Sequence, residues 1–550
     1  MGHYFWRGTL VSTIRLERPH KAAIEWMLVA LAGACGVLLL HRHTLASGGA
    51  RLPGDLGDTR LNLLFLEHGF RTLRGDSPWH SFWSPTWSFF PLTEVLARSD
   101  NLIGDLPLYV TLRGLGVDPP RAFSAWVVSC TILNFAGALW AARQLGQSRL
   151  GAGASAVLFA FAMPRAQQLN HAQLLPQFWM PLCVGVLARS VRAALADQPV
   201  RSRRWLFLLP PLALLQFAAG AYLGCFLALG AVFAGVVALS CTGDVGFRAP
   251  LVRWLQVAWP GLASGLAAIA VPTWWLLRPY VRLRALGGGR SHAEVAAMLP
   301  RPLSYLMPMP GAVFYDWLTP VARTLPLSWE HTMFAGLLPL GALGWLAWQT
   351  QHQNAVGQRV LARLLFGTWA LTVLSTLLLG RESAWWIVSL LPGLTALRAV
   401  TRIALLQLLL AGFALGALVT ACQQRRTKGA WILATALMFL PLIENLVEVP
   451  ANLGANEILE RTQTLAAHVR EANCSAFFYT GAPDALDVVT QLDAMSASME
   501  TGRPTINGYT GKDPEGWTLR EPAHVDRAAV RDWLHRNGDD HTDFCLLTGG

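Results

Sequence analysis

The chain has 550 residues, 53% hydrophobic and only 14% charged, with 23 tryptophans and a formal net charge of +11. A soluble domain carries about a quarter charged residues, so this composition excludes an ordinary water-soluble fold and makes a bilayer the solvent for much of the surface. The basic residues fall in short clusters between apolar runs, the pattern by which membrane proteins set their orientation, and nucleic acid is not an expected partner.

In chain order, a basic tail (Arg7, Arg15, Arg18, Lys21) precedes a first apolar run at 22–41. That run is long enough to span a membrane, and no small-residue cleavage site closes it, so it reads as a signal anchor. A spanning helix needs about 20 apolar residues. Ten further runs approach this, some marginally: 121–143, 150–164, 172–190, 205–219, 222–240, 254–276, 333–348, 361–380, 402–421 and 429–447. Two stretches, 102–117 and 384–397, are apolar but broken by proline, glycine or charge. They read as re-entrant or interfacial, which leaves a count of eleven to thirteen helices open. With eleven crossings, the basic tail, the segment Arg189 to Arg204 and the segment Arg425 to Lys428 all fall on one side. The positive-inside rule makes that side the cytoplasm. The expected fold is an all-α polytopic membrane bundle over 1–447, with its N-terminus cytoplasmic. No internal repeat of solenoid or transporter type is visible.

Three segments then face outward: 42–120, 278–332 and 448–550. The first is too long for a passive connector. It holds an amphipathic stretch, Asn62 to Arg71, and tryptophans at 79, 83 and 87 (Trp79, Trp83, Trp87) suited to a headgroup interface. The last reads as a small α/β domain: a strand at 476–480, a loop Asn507-Gly508-Tyr509-Thr510-Gly511, a helix at 525–535 and a strand at 544–547. Six cysteines (Cys35, Cys130, Cys183, Cys225, Cys241, Cys422) lie in or beside apolar segments, where the residue acts as a small hydrophobe. Cys474 and Cys545 stand apart in the tail, free to bridge if the tail is outside the cytoplasm. The sequence leaves that pairing open.

Just past the first helix, Pro53-Gly54-Asp55-Leu56-Gly57-Asp58 sets two carboxylates at a membrane exit. Such a carboxylate serves as a general base toward a hydroxyl or holds a divalent cation. The plainer alternative is that Asp55 and Asp58 are turn residues, Asp58 capping a helix from Thr59. His68 follows beside Glu67, and His171 lies in the short outer loop between the third and fourth helices. A lone histidine is more often a structural hydrogen-bonding residue than a catalyst. Topology nonetheless sets Asp58, His68, His171, Glu330 and His331 at one outer face, without showing that they meet. The loop 278–332 is basic on the side where the positive-inside rule expects few cations: Arg278, Arg282, Arg284, Arg290, Arg301 and Arg323. Arginine binds phosphate bidentately, so a phosphate-linked lipid headgroup is one reading. Contact with water or anionic lipid is the other. Arg398 and Arg402, at the start of the tenth helix, invite the same pair of readings. Acidic residues and lysine are nearly absent inside the eleven runs, which weighs against a proton-coupled transporter.

At these residues the chain resembles the integral-membrane glycosyltransferases of the GT-C fold, in particular a bacterial branch. The resemblance rests on Gly57-Asp58, Leu66-Glu67-His68, Phe82-Trp83, Phe90-Pro91, the segment Ser99 to Tyr109, Leu169 to Leu174 and Asn507 to Gly511. It is spread over most of the chain through short motifs. It implies a transferase at the periplasmic face of the bacterial inner membrane, with a polyprenyl-phosphate sugar as donor and a glycan, lipid or protein as acceptor. It implies an aspartate early in the first outer loop as base: Asp58, with Asp55 in reserve. His68 and His171 would stabilise donor phosphate or position the acceptor. Arg282, Arg284, Arg290 and Arg402 would neutralise the leaving phosphate, with Glu330 and His331 at the same face. Some relatives use a divalent metal. Several carry a paired acidic motif in this loop, whereas here Leu56-Gly57 separates the acids. Two rival functions stand beside this one: a transporter or flippase for a lipid-linked or polysaccharide substrate, and a non-catalytic assembly protein recruiting a partner through its outer domain.

Overall fold

The computed structural model describes residues 19–76, 81–286, 290–449 and 451–549. Arg7, Arg15, Arg18 and Trp79, named above, lie outside these residues. Each of the eleven apolar runs is helical. In chain order the principal helices are α1 (Pro19–Ala46), α2 (Asp58–Arg74), α3 (Leu106–Gly114), α4 (Pro119–Gln144), α5 (Arg149–Phe161), α6 (Trp179–Leu195), α7 (Leu209–Ala219) and α8 (Ala221–Ser240). They continue as α9 (Val245–Leu286), α10 (Leu337–His352), α11 (Val356–Thr376), α12 (Ala404–Gln424) and α13 (Lys428–Glu444). The tail adds α14 (Ala455–Ala472), α15 (Asp487–Thr501) and α16 (Arg527–Arg536). Among the described residues, six segments are long and apolar enough to cross a membrane by length and composition: Pro19–Ala46, Pro119–Gln144, Ala172–Leu195, Ala221–Gly243, Gly246–Arg284 and Val400–Gln424. The full count of eleven crossings therefore rests on the sequence pattern. The interrupted stretches contain short elements, the nine-residue α3, a single turn Trp385–Val388 and a 3-10 turn Leu394–Ala396.

The centre of the bundle is α5, buried along nearly its whole length. Its sequence explains that position, because Gly151, Ala152, Gly153, Ala154, Ser155 and Ala156 offer almost no side chain. A neighbouring helix can therefore approach closely. α12 presents Gly412 and Gly416 one turn apart to Ser155 and Gly151, and the Ser155 hydroxyl donates to the Gly412 carbonyl at 2.8 Å. A Cβ on Gly416 would overlap Ser155 Oγ and Gln147 Oε1. Helix starts are locally encoded: Asp118 and Ser148 each accept an N–H from the first turn of α4 and α5, and Pro119 and Pro120 open α4. By contrast α9, 42 residues with prolines at 250, 260, 272 and 279, presents Trp259, Val271 and Trp274 outward. Those apolar side chains suit lipid.

The three segments expected to share a face do meet at one end of the bundle. Strand β1 (Arg51–Leu52) pairs antiparallel with β2 (Leu453–Gly454). Arg282 reaches Glu94 at 2.8 Å, and Arg290 reaches the Gly511 carbonyl at 3.3 Å. The tail holds a parallel pair, β3 (Ala476–Tyr479) and β4 (Phe544–Leu547), and a disulfide joins Cys474 to Cys545. Tail and first loop share one core, in which Phe89 and Val95 pack with Phe478, Trp517 and Trp533. A buried ion pair, Arg60 to Asp493 at 2.6 Å, ties the first turn of α2 to α15. The cap expected of Asp58 is made instead by Asp55: the helix begins at Asp58, and Asp55 Oδ1 accepts from Gly57 N–H at 3.1 Å and Thr59 N–H at 3.3 Å.

Candidate active site

Asp58 is thus free of capping, and its carboxylate leaves the first turn of α2 toward the segment 165–178 and the tail. Its surroundings are donors held at a distance. Tyr509 Oη donates to Oδ1 at 3.4 Å, and Gln173 Nε2 donates to Oδ2 at 3.4 Å. His171 Nε2 stands 3.9 Å from Oδ2. The amide of Gln173 is oriented by Asn62, which donates to Gln173 Oε1 at 2.8 Å and so turns the amide nitrogen to Asp58. An ionised carboxylate has about four lone-pair sites. With partners this long and a side chain 24% exposed, Asp58 retains accepting capacity.

Behind His171 lies a buried charge network. His171 Nε2 is 3.7 Å from Glu330 Oε1. Glu330 takes a two-pronged contact from Arg402, at 3.2 Å from Nε and 2.9 Å from Nη2, and the guanidinium lies 5.2 Å from the Tyr222 ring centre. Burial would raise the Glu330 carboxyl, but Arg402 overrides it and holds the group down at about 2. Burial, with Arg402 adding to it, lowers His171 to about 4, so the imidazole is neutral near pH 7. Its Nδ1 is buried without a hydrogen-bond partner among the described residues. Next to this network Arg290 and Arg398 converge on Glu294, each at 3.3 Å, so two positive charges face one negative one. Asp100 Oδ1 accepts the Ala221 N–H at 2.7 Å, and burial pushes its carboxyl up to about 6. Among the described residues no group of three or more His, Cys, Asp or Glu is placed to hold a metal.

With the geometry in view, the chain can be set beside known proteins. No protein-family model and no characterised sequence matches it. Solved structures do. The chain is similar to the oligosaccharyltransferase of Archaeoglobus fulgidus complexed with Zn and sulfate, at 12% identity and TM-score 0.44, over 88% of this chain and 62% of that one. It is similar to the arabinofuranosyltransferase AftD from Mycobacteria at 15% identity and TM-score 0.39, over 90% of this chain and 31% of that one. It is similar to ArnT from Cupriavidus metallidurans at 13% identity and TM-score 0.32, over 88% of this chain and 86% of that one. All are membrane glycosyltransferases of the GT-C fold, the family that the sequence resembles.

Of the residues singled out by sequence, Asp58, His171, Glu330 and Arg402 come together, and Arg290 joins their margin through Glu294 and Arg398. Asp55 stands beside them, capping α2, and the remaining candidates sit elsewhere. His68 is buried in an aromatic nest, its Nε2 on the Phe82 carbonyl at 3.0 Å and its Nδ1 accepting from Trp87 at 3.2 Å. His331 contacts Ser304 at 2.7 Å and the Ala297 carbonyl at 3.1 Å. Arg282 pairs with Glu94, and Arg284 is exposed near the end of α9. Sequence reasoning passed over Asn62, Gln173, Asp100, Tyr222 and Glu294 as site residues. Gln173 and Asp100 stood inside motifs that carried the resemblance, and Asn62 opened the amphipathic stretch Asn62 to Arg71; those were the available signals.

Proposed function

We propose that the protein is an inverting membrane glycosyltransferase that takes a sugar from a polyprenyl-phosphate donor at the periplasmic face, with Asp58 as general base. The bundle 1–447 would carry the chemistry, and 448–550 would form a periplasmic α/β unit over it. The single observation behind this reading is the setting of Asp58: a part-exposed carboxylate with long contacts only, backed by a buried charge network. In the proposed step the acceptor hydroxyl gives its proton to Asp58 as its oxygen bonds to the sugar's anomeric carbon. The bond from that carbon to the donor phosphate breaks, and the phosphate oxygen keeps the electron pair. Attack from the face opposite the leaving group inverts the carbon. Arg398 and Arg290, two cations to one carboxylate, suit the charge that develops on the phosphate.

The test is Asp58→Asn, which keeps shape and loses basicity. Membranes carrying the wild-type protein are expected to transfer radiolabelled sugar from a member of a panel of polyprenyl-phosphate sugars. The variant is expected to insert and express equally and to lose at least about a hundredfold in rate, the low end of a general base's contribution. Full activity in the variant would remove the mechanism.

A further inference from the structure

Tyr509 reaches Asp58 from 451 residues away in sequence, and its loop is fixed on both sides. Asn507 is fully buried and grips β3: its Oδ1 accepts Tyr479 N–H at 2.8 Å, and its Nδ2 donates to the Tyr479 carbonyl at 3.0 Å. Gln491 on α15 accepts from Asn507 Nδ2 at 2.9 Å and from Gly508 N–H at 3.0 Å. On the opposite side the first outer loop pairs with the same strand of chain, Phe89 N–H to the Asn507 carbonyl at 2.8 Å and Phe90 N–H to the Thr505 carbonyl at 3.0 Å. Gly508 has no room for a side chain, because a Cβ there would overlap the Phe89 ring. The hydroxyl that emerges from this clamp lies over Gly57, where an added Cβ would stand 3.0 Å from it. Burial and the nearby Asp58 carboxylate raise the phenol, so it remains a proton donor.

From this geometry we propose that Tyr509 is a positioning residue for Asp58: its O–H holds Oδ1, so that Oδ2, flanked by Gln173 and His171, is the oxygen turned to the acceptor hydroxyl. The tail then completes the site and is no detachable accessory. The proposal rests on the glycosyltransferase reading with Asp58 as base. At 3.4 Å the contact belongs at the low end of what a hydrogen bond contributes, about threefold to tenfold in rate.

The experiment uses the full-length protein and the polyprenyl-phosphate sugar from the panel that the wild type turns over. Tyr509→Phe keeps the ring and removes the hydroxyl, and is expected to lower kcat by about threefold to tenfold while donor KM stays unchanged. Gly57→Ala has an ordinary negative φ of −96° and should push the hydroxyl aside without removing it. It should lower kcat in the Tyr509 background and have little further effect in the Phe background, because the contact is already lost. Tyr509→Phe with wild-type kcat overturns the proposal. So does Gly57→Ala with wild-type kcat in the Tyr509 background, a result that would still decide the matter if Tyr509→Phe folded poorly. Failure of the underlying reading looks different: no donor is turned over, or Asp58→Asn remains active.

Discussion

At the residue scale, the site depends on which groups are charged. Neutral His171 lies between two carboxylates and beside Arg402, and its folded pKa of about 4 stands below the ordinary imidazole value of 6.5. In the unfolded chain it binds a proton near pH 6.5, and in the folded chain only near pH 4. Stability from this residue is therefore fully present above about pH 6.5 and is lost as pH falls toward 4. Glu330, at about 2 when folded, adds a second loss of the same sign below about pH 4.5. The midpoint of thermal unfolding in detergent should accordingly fall between pH 7 and pH 5, and His171→Gln should flatten that fall. An equal fall in both proteins would show that His171 is not held neutral by its surroundings.

Elements show why the tail matters. The first turn of α2 carries Asp58 outward and Arg60 inward, and the Arg60 guanidinium is 3% exposed against an Asp493 carboxylate that is 4% exposed. Arg461 joins the same carboxylate. Removing one member of such a pair leaves a buried charge without compensation, at a cost of about 3–5 kcal/mol. Asp493→Ala is therefore expected to lower the thermal midpoint markedly and to reduce sugar transfer through loss of α2 geometry. Arg461→Ala, whose side chain is 40% exposed, should do far less. Similar effects from the two variants would mean that the Arg60 contact does not anchor α2. Neither Arg60 nor Asp493 has a local sequence signal. One follows an acidic turn, the other lies mid-helix, and their meeting across 433 positions is a product of packing.

For the whole molecule, orientation is the open physical variable. The basic clusters argue for a cytoplasmic N-terminus, and a periplasmic tail would then keep the Cys474–Cys545 bridge, which closes a separation of 71 residues. A loop of that size is worth about 4 kcal/mol on the chain-entropy account. A variant retaining only these two cysteines, alkylated in intact acid-quenched cells before reduction, is expected to be protected from alkylation. Its tail should also become protease-sensitive once reduced. Free thiols in every molecule would place the tail in a reducing compartment and overturn the orientation.

What the sequence determined by itself was local and compositional. Apolar runs long enough for a bilayer appeared as helices, and the strands at 476–479 and 544–547 fell within the short apolar runs read as strands at 476–480 and 544–547. Candidates chosen by charge and topology divided according to what only the tertiary structure decides. His68 and Asp58 stand ten residues apart on the same amphipathic helix, yet one faces Phe82 and Trp87 and the other faces the tail. Glu330 and Arg402 came from separate segments and proved to be one buried pair. Spacing along a helix sets the direction of a side chain, but the partner that receives it comes from a distant segment. Its arrival depends on how the whole bundle closes.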